Sequence, residues 1–179
     1  FEGWVSTDQG RYPISSQRYS PDVVSPDNRG SMGDFDPEPW PSWRIQLPDG
    51  CTVVQEIFIP KGVTGTVVSW RIEGKTKRAL LDVRPFFSGR GIHLLHRENK
   101  NFRFSPETVN GCLKWTPYEG VPATVIYSNG EYRHDPLWYR NFKYDEEHKR
   151  GVDSEEDLAA PGVIQWDLSR EEALAVFLA

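Results

Sequence analysis

The sequence predicts an all-β fold, an antiparallel sandwich, on three observations. Short β-rich runs recur at the roughly 8–12-residue spacing typical of sandwich strands. Fourteen Pro and fifteen Gly punctuate the 179 residues and leave little room for long helices. Aromatic residues make up 13% of the chain, with seven Trp, and aromatics suit half-buried pleated surfaces.

Each element follows from local signals. Residues 20–41 are broken by Pro21, Pro26, Pro37, Pro39 and Pro41, so they predict a long irregular connection. Residues 43–47 form a strand that ends at the turn residues Pro48, Asp49 and Gly50. Residues 52–59 follow, and the two runs read as a hairpin whose apolar residues are too dense for a fully wet face. Residues 66–72 are a strand closed by Gly74, and residues 79–84 are one stopped by Pro85. Residues 121–128 end at Asn129 and Gly130, a strong hairpin dipeptide, which predicts residues 131–134 as the partner. Residues 138–144 alternate as a strand, with Trp138, Phe142 and Tyr144 on one side and Tyr139, Asn141 and Lys143 on the other. Residues 163–168 are a further strand. Ser169 and Glu172 have capping-box spacing, which permits a helix after them. A strand is preferred there, in a hairpin turning at residues 169–172, because residues 163–168 need a neighbour. No internal repeat, low-complexity tract or linker divides the chain, so a single domain is expected.

Composition excludes several classes of function. The net charge is −5 and no block of five basic residues occurs, which argues against a phosphate-tracking nucleic-acid binder. The longest apolar runs, such as residues 173–179, fall far short of the ~20 residues of a membrane span. Two cysteines, Cys51 and Cys112, are too few for a disulfide framework and point to a reducing compartment. A single long-range disulfide stays open, because pairing depends on three-dimensional geometry.

Chemistry-bearing motifs are sparse. No Gly-rich phosphate loop and no G-x-S-x-G elbow is present. His93 and His96 have H-x-x-H spacing but lack a matching third ligand, so neither a metal nor another cofactor is expected. Asp145, Glu146, Glu147, Asp153, Glu155, Glu156 and Asp157 invite a glycosidase reading, since such enzymes place two carboxyls ~5–9.5 Å apart across the scissile bond. The competing reading is a solvated acidic surface, or ion pairs with Arg140, Lys149 and Arg150.

Residues 138–162 carry a resemblance. They match the pattern W-Y-x-N-F-x-Y-x-x-E-x-x-R-G-x-D-x-x-E-D-L-x-x-P-G through Trp138, Tyr139, Asn141, Phe142, Tyr144, Glu147, Arg150, Gly151, Asp153, Glu156, Asp157, Leu158, Pro161 and Gly162. Tyr12–Tyr19 is similar to Y-P-L-S-S-N-R-Y, with Gln17 in place of Asn. Leu81–Pro85 is similar to L-x-L-R-P, and Arg90–His93 to R-D-Y-H, with Gly91 and Ile92 in place of Asp and Tyr. In these respects the chain resembles the N-terminal domain of bacterial and archaeal glycogen debranching enzymes of the amylo-α-1,6-glucosidase type.

That resemblance implies an all-β super-sandwich of the galactose-mutarotase-like kind. It implies a cytoplasmic, non-catalytic domain of a glycosidase that hydrolyses α-1,6 branch points of glycogen-like glucans. It further implies that the family's opening motifs would precede Phe1 and that the catalytic α/α barrel, the partner domain, would follow Ala179. Arg90, His93, Trp138, Tyr139, Glu147, Arg150, Asp153, Glu156 and Asp157 are then the candidates for a domain interface or a wall of the glucan site. Arg150 is expected to pair with Glu147, Asp153 or Asp157. Two other functions compete: an independent carbohydrate-binding module with exposed Trp platforms, and a mutarotase-type epimerase using His93, His96 or His134.

Overall fold

The computed structural model describes residues 1–91 and 93–178. Ile92, part of the Arg90–His93 motif, and Ala179, the end of the last apolar run, lie outside the described residues. The first strands are β1 (Glu2–Thr7), β2 (Arg11–Pro13), β3 (Arg18–Tyr19), β4 (Val23–Val24) and β5 (Met32–Asp36). Next come β6 (Ser42–Gln46), β7 (Thr52–Phe58), β8 (Thr66–Glu73) and β9 (Ala79–Arg84). The remainder is β10 (Glu107–Val109), β11 (Cys112–Trp115), β12 (Thr124–Ser128), β13 (Glu131–Lys143), α1 (Asp145–Lys149), β14 (Glu155–Asp167) and β15 (Ala173–Leu178).

These strands form two antiparallel sheets, so the expected all-β sandwich is the observed fold. One sheet runs β2-β1-β9-β14-β13-β3-β4 and the other β10-β11-β12-β15-β8-β7-β6-β5. Alternation along β9 buries Ala79, Leu81 and Val83 while their neighbours stay partly open. Val5, Leu81, Val83, Ile164 and Trp166 of the first sheet meet Val53, Val68, Trp70, Ile126 and Ala175 of the second in one core. Trp70 and Trp166 touch across it, with ring centroids 5.6 Å apart. Both indole N–H groups are satisfied, on Gln55 Oε1 and Asn129 Oδ1.

The hairpin of β6 and β7 stands as the turn residues predict, and the strands expected at residues 66–72 and 79–84 are β8 and β9. Four expectations are corrected. Residues 20–41 are not wholly irregular: β4 and β5 lie within them, β5 pairing with β6 as the fully exposed edge of its sheet.

Asn129 and Gly130 do not close a hairpin. β12 pairs with β11 and β15, whereas β13 pairs with β14 in the opposite sheet, so the dipeptide is a crossover between sheets. Neither residue has the positive φ that a type I′ turn requires at both central positions. The residue types serve packing instead. Asn129 Oδ1 accepts from Trp166 Nε1 and from the Leu174 amide, tying the two sheets together. A Cβ on Gly130 would fall 2.5 Å from the Trp166 indole and 2.7 Å from Ile164.

Residues 169–172 are likewise a crossover. β15 is the strand favoured over a helix, but its neighbours are β12 and β8 rather than β14. Asp167 Oδ1 accepts from the Ser169 amide and hydroxyl, and that side-chain turn displaces the capping box.

The strand at residues 138–144 belongs to a longer β13, whose alternation breaks between Tyr139 and Phe142. Asn141 sits at that bulge with φ 62°, a left-handed conformation that Asn tolerates better than most residues. The one-residue shift puts Tyr139 and Phe142 together on Phe86, while Trp138 packs on His96 and Phe102. Trp138 and Phe142 therefore do not share a packing surface.

Candidate functional site

The expected charged loop after β13 is largely ordered. α1 is a single turn of helix, acidic in its first turn and basic in its last, as its dipole favours. Arg150 caps its C-terminus, and its amide donates to the Glu146 and Glu147 carbonyls. Gly151 follows with φ 72°, the left-handed residue that stops a helix without a Cβ penalty. Arg150 forms no ion pair with Glu147, Asp153 or Asp157 among the described residues, contrary to expectation. Its place in the motif is explained by the helix end. The chain then turns back at once into β14, which starts at Glu155, eight residues before the predicted strand.

After β9, Phe87 and His96 stand where a strand would pair with the first half of β14. Phe87 bridges Ala159 through both backbone hydrogen bonds, and the Asp157 amide donates to the His96 carbonyl. This brings Arg90 over Glu156. The guanidinium donates through Nε to Oε2 at 2.7 Å and through Nη2 to Oε1 at 2.8 Å. Such a bidentate geometry is the strongest ion-pair arrangement available to these side chains. Tyr144 Oη donates to Oε1 at 2.5 Å, and the His96 amide donates to Oε2 at 3.0 Å. Glu156 is 1% exposed. Burial pushes its carboxyl up, but donation from Arg90, Tyr144 and His96 outweighs burial and holds it below the usual glutamate range. Tyr144 is raised, first by burial and then by the carboxylate it serves.

Asp157, the next residue, holds two backbone amides. Its Oδ2 accepts from Glu98 and its Oδ1 from Asn141, both at 2.9 Å. The bulge at Asn141 thus aims its N–H at Asp157, which accounts for the asparagine of the motif. His96 lies between the two acidic residues and is 6% exposed. Its Nδ1 is 3.0 Å from the Asp157 carbonyl, which can only accept, so Nδ1 carries the proton. Nε2 then accepts from Tyr118 Oη at 2.6 Å, and Asn99 Nδ2 donates to the same oxygen at 2.6 Å. Burial lowers the His96 pKa, so the ring is neutral at pH 7.

Trp138, half-buried, packs on His96, Phe102 and Phe104, with centroids 5.2–5.6 Å away. Tyr139 rests on Phe86, and its hydroxyl donates to Glu2 Oε1 at 3.2 Å. Burial pushes the Tyr139 phenol up to about 12. Arg90, His93, Glu147 and Asp153 instead line one open cleft of about 1080 Å³, with Leu94 and Leu95 on one side and Gly151 and Val152, past the end of α1, on the other. Leu94 and Val152, both more than half exposed, line the same cleft.

The nine candidates therefore divide. Four line the cleft, Glu156 clamps Arg90 from beneath, and Asp157 anchors the neighbouring loop. Trp138 and Tyr139 pack, and Arg150 caps. Tyr144 and Asn141 stand in the motif, yet no contact could be assigned to them from sequence; Tyr118, Asn99 and Glu98 carry no sequence signal at all. Of the three candidate histidines, His93 is exposed, His96 is buried, and His134 lies beside Tyr132. No group of three or more His, Cys, Asp or Glu able to hold a metal occurs among the described residues.

A two-sheet antiparallel sandwich that ties the buried acids Glu156 and Asp157 into internal hydrogen bonds defines an all-β domain. The family model described as glycogen debranching enzyme N terminal matches residues 1–175, and the chain belongs to that family. Comparison with curated proteins gives no match.

Proposed function

We propose that this is the non-catalytic N-terminal β domain of a debranching glycosidase acting on α-1,6 linkages of glycogen-like glucans. The cleft lined by Arg90, His93, Glu147 and Asp153 docks against the catalytic α/α-barrel domain or walls its glucan site. One observation carries the reading. The buried Glu156 accepts four hydrogen bonds, from Arg90, Tyr144 and His96, and stays ionised, whereas a general acid must hold a proton near neutral pH. The acidic segment therefore serves to fix a surface. Exposed Leu94 and Val152 within an otherwise charged cleft suit an interface with a protein neighbour.

The setting is cytoplasmic in this reading. Cys51 and Cys112 are free thiols, the state a reducing compartment maintains. No helix among the described residues is long and apolar enough to cross a membrane.

Charge reversal tests the role. In a protein carrying this domain with the catalytic one, Glu147→Lys with Asp153→Lys lowers kcat/KM on an α-1,6-branched dextrin by about tenfold, roughly 1.4 kcal/mol of transition-state stabilisation. The 179-residue chain alone releases no glucose from that substrate. Unchanged kcat/KM in the double variant removes the cleft from the function; hydrolysis by the isolated chain removes the non-catalytic assignment.

A further inference from the structure

The dipeptide Asn-Gly occurs twice, at Asn110 and Gly111 and at Asn129 and Gly130. Asparagine is a thermolabile residue, and before glycine it is open to a reaction that needs only water. The glycine amide nitrogen loses its proton and attacks the asparagine Cγ. The Cγ–Nδ2 bond breaks, and Nδ2 leaves as ammonia. Water then opens the resulting five-membered succinimide, at Cγ to give aspartate or at the main-chain carbonyl to give isoaspartate. Nothing is oxidised or reduced. Glycine favours the attack because it has no Cβ to crowd its nitrogen or restrict its approach.

Exposure does not separate the two sites, since both asparagines are exposed. Hydrogen bonding does. Asn129 Oδ1 accepts from Trp166 Nε1 at 2.8 Å and from the Leu174 amide at 2.9 Å, while its Nδ2 donates to the Glu172 carbonyl at 2.9 Å. The attacking nitrogen is also occupied, because the Gly130 amide donates to Ser128 Oγ at 2.9 Å. Asn129 must give up all three side-chain bonds before its Cγ can swing to Gly130, and one of them satisfies the indole of a core tryptophan.

Asn110 stands at the tip of the β10–β11 hairpin. Its φ is 50° and that of Gly111 is 77°, the paired positive values of a type I′ turn. Among the described residues, neither the Asn110 carboxamide nor the Gly111 amide has a hydrogen-bond partner, and a Cβ on Gly111 would meet nothing within 4 Å. Ring closure requires the Asn110 main chain to turn until the Gly111 nitrogen faces Cγ. The hairpin permits that motion. β10 has three residues, all exposed, and forms the edge of its sheet. Short exposed edges of this kind open at small free-energy cost.

We propose that Asn110 is a site of spontaneous deamidation and isoaspartate formation, and that the fold holds Asn129, with the same neighbour, against the same reaction. The isoaspartyl product routes the main chain through Cβ. Val109 and Cys112 then lose their register, and the edge hairpin loosens around the half-exposed Cys112 thiol.

Ageing the 179-residue chain in warm, mildly alkaline buffer tests this, with one sample native by near-ultraviolet circular dichroism and one unfolded in urea. After trypsin, Asn110 lies on peptide 104–114 and Asn129 on peptide 115–133, so mass spectrometry reads each separately. In the native chain Asn110 converts at least about tenfold faster than Asn129, which first loses its three bonds. In urea the two convert at comparable rates. The converted native chain, separated by its added negative charge, alkylates at Cys112 severalfold faster than the unconverted chain, while the buried Cys51 is unchanged. Equal conversion of the two asparagines in the native chain overturns the proposal, as does an Asn110 that reacts in urea but not in the native chain. An unchanged Cys112 rate overturns the loosening of the hairpin.

Discussion

Two arginine–glutamate pairs on this molecule share a chemistry and differ in everything else. Arg90 meets Glu156 on β14 of the first sheet, where the glutamate side chain is 2% exposed and also receives Tyr144 and His96. Arg44 meets Glu73 on the face of the second sheet, where the side chains are 39% and 41% exposed and Arg71 competes for the same carboxylate. Both carboxyls are held below their usual range. For Glu73 the leading cause is the hydrogen bond from Arg44; for Glu156 burial opposes and three kinds of donor together overcome it. The contrast teaches that an ion pair's consequence lies in what happens when it is broken. Water replaces Arg44 readily, but nothing replaces Arg90 above a buried charge.

The largest expected effect comes from Arg90→Ala. It strands an ionised carboxylate in the interior and costs about 3 kcal/mol, the low end for a broken buried pair because Arg90 is itself partly open. In a domain of this size that lowers Tm by roughly 6–12 °C. A loss as small as that of a surface substitution breaks the comparison.

Acid sharpens it next. His96 and Glu156 both have depressed folded pKa values, so the stability they contribute is complete above their unfolded values and declines as pH falls. Tm falls first as pH drops below the ordinary histidine range, and again below the ordinary glutamate range. A melting series across that interval checks the order. His96→Gln, which cannot be protonated, removes the first decline and keeps the second. A Tm that stays flat until the glutamate range sets aside the buried neutral histidine.

Tyr144→Phe removes one neutral donor from the Glu156 carboxylate while keeping the ring. It costs about 1.5 kcal/mol, the size of one hydrogen bond to a charged group, and denaturant unfolding should register it with an unchanged m-value. Arg44→Ala is the smallest. Its thermal midpoint should be indistinguishable from wild type, and a clear drop places the outer-face pair in the same class as the inner one.

Sequence and structure agree where local chemistry suffices. Pro48, Asp49 and Gly50 predict the turn between β6 and β7 because their conformational preferences act over four residues. The regular β-rich runs predict the strands, and the motif at residues 138–162 marks the acidic segment. Agreement ends where a residue's role depends on a distant neighbour. Asn129 and Gly130 carry a hairpin signal, yet Trp166 and Leu174 claim the asparagine and the indole leaves no room for a Cβ. Glu155–Gly162 has poor strand propensity, with two buried acids, two alanines and a proline, yet β14 is a central strand because donors from residues 90–98 and 141–144 meet those acids.

By itself, then, the sequence determined the class of fold, the strand positions with strong local signals, and the family through its spaced motif. These depend on backbone preference and residue order alone. Only the tertiary structure decided which sheet each strand joined, that Arg90 rather than Arg150 holds an acidic residue, and that Glu156 is an anchored anion. Those outcomes depend on which groups meet across sequence separations of 60 or more, and on whether water reaches them when they do.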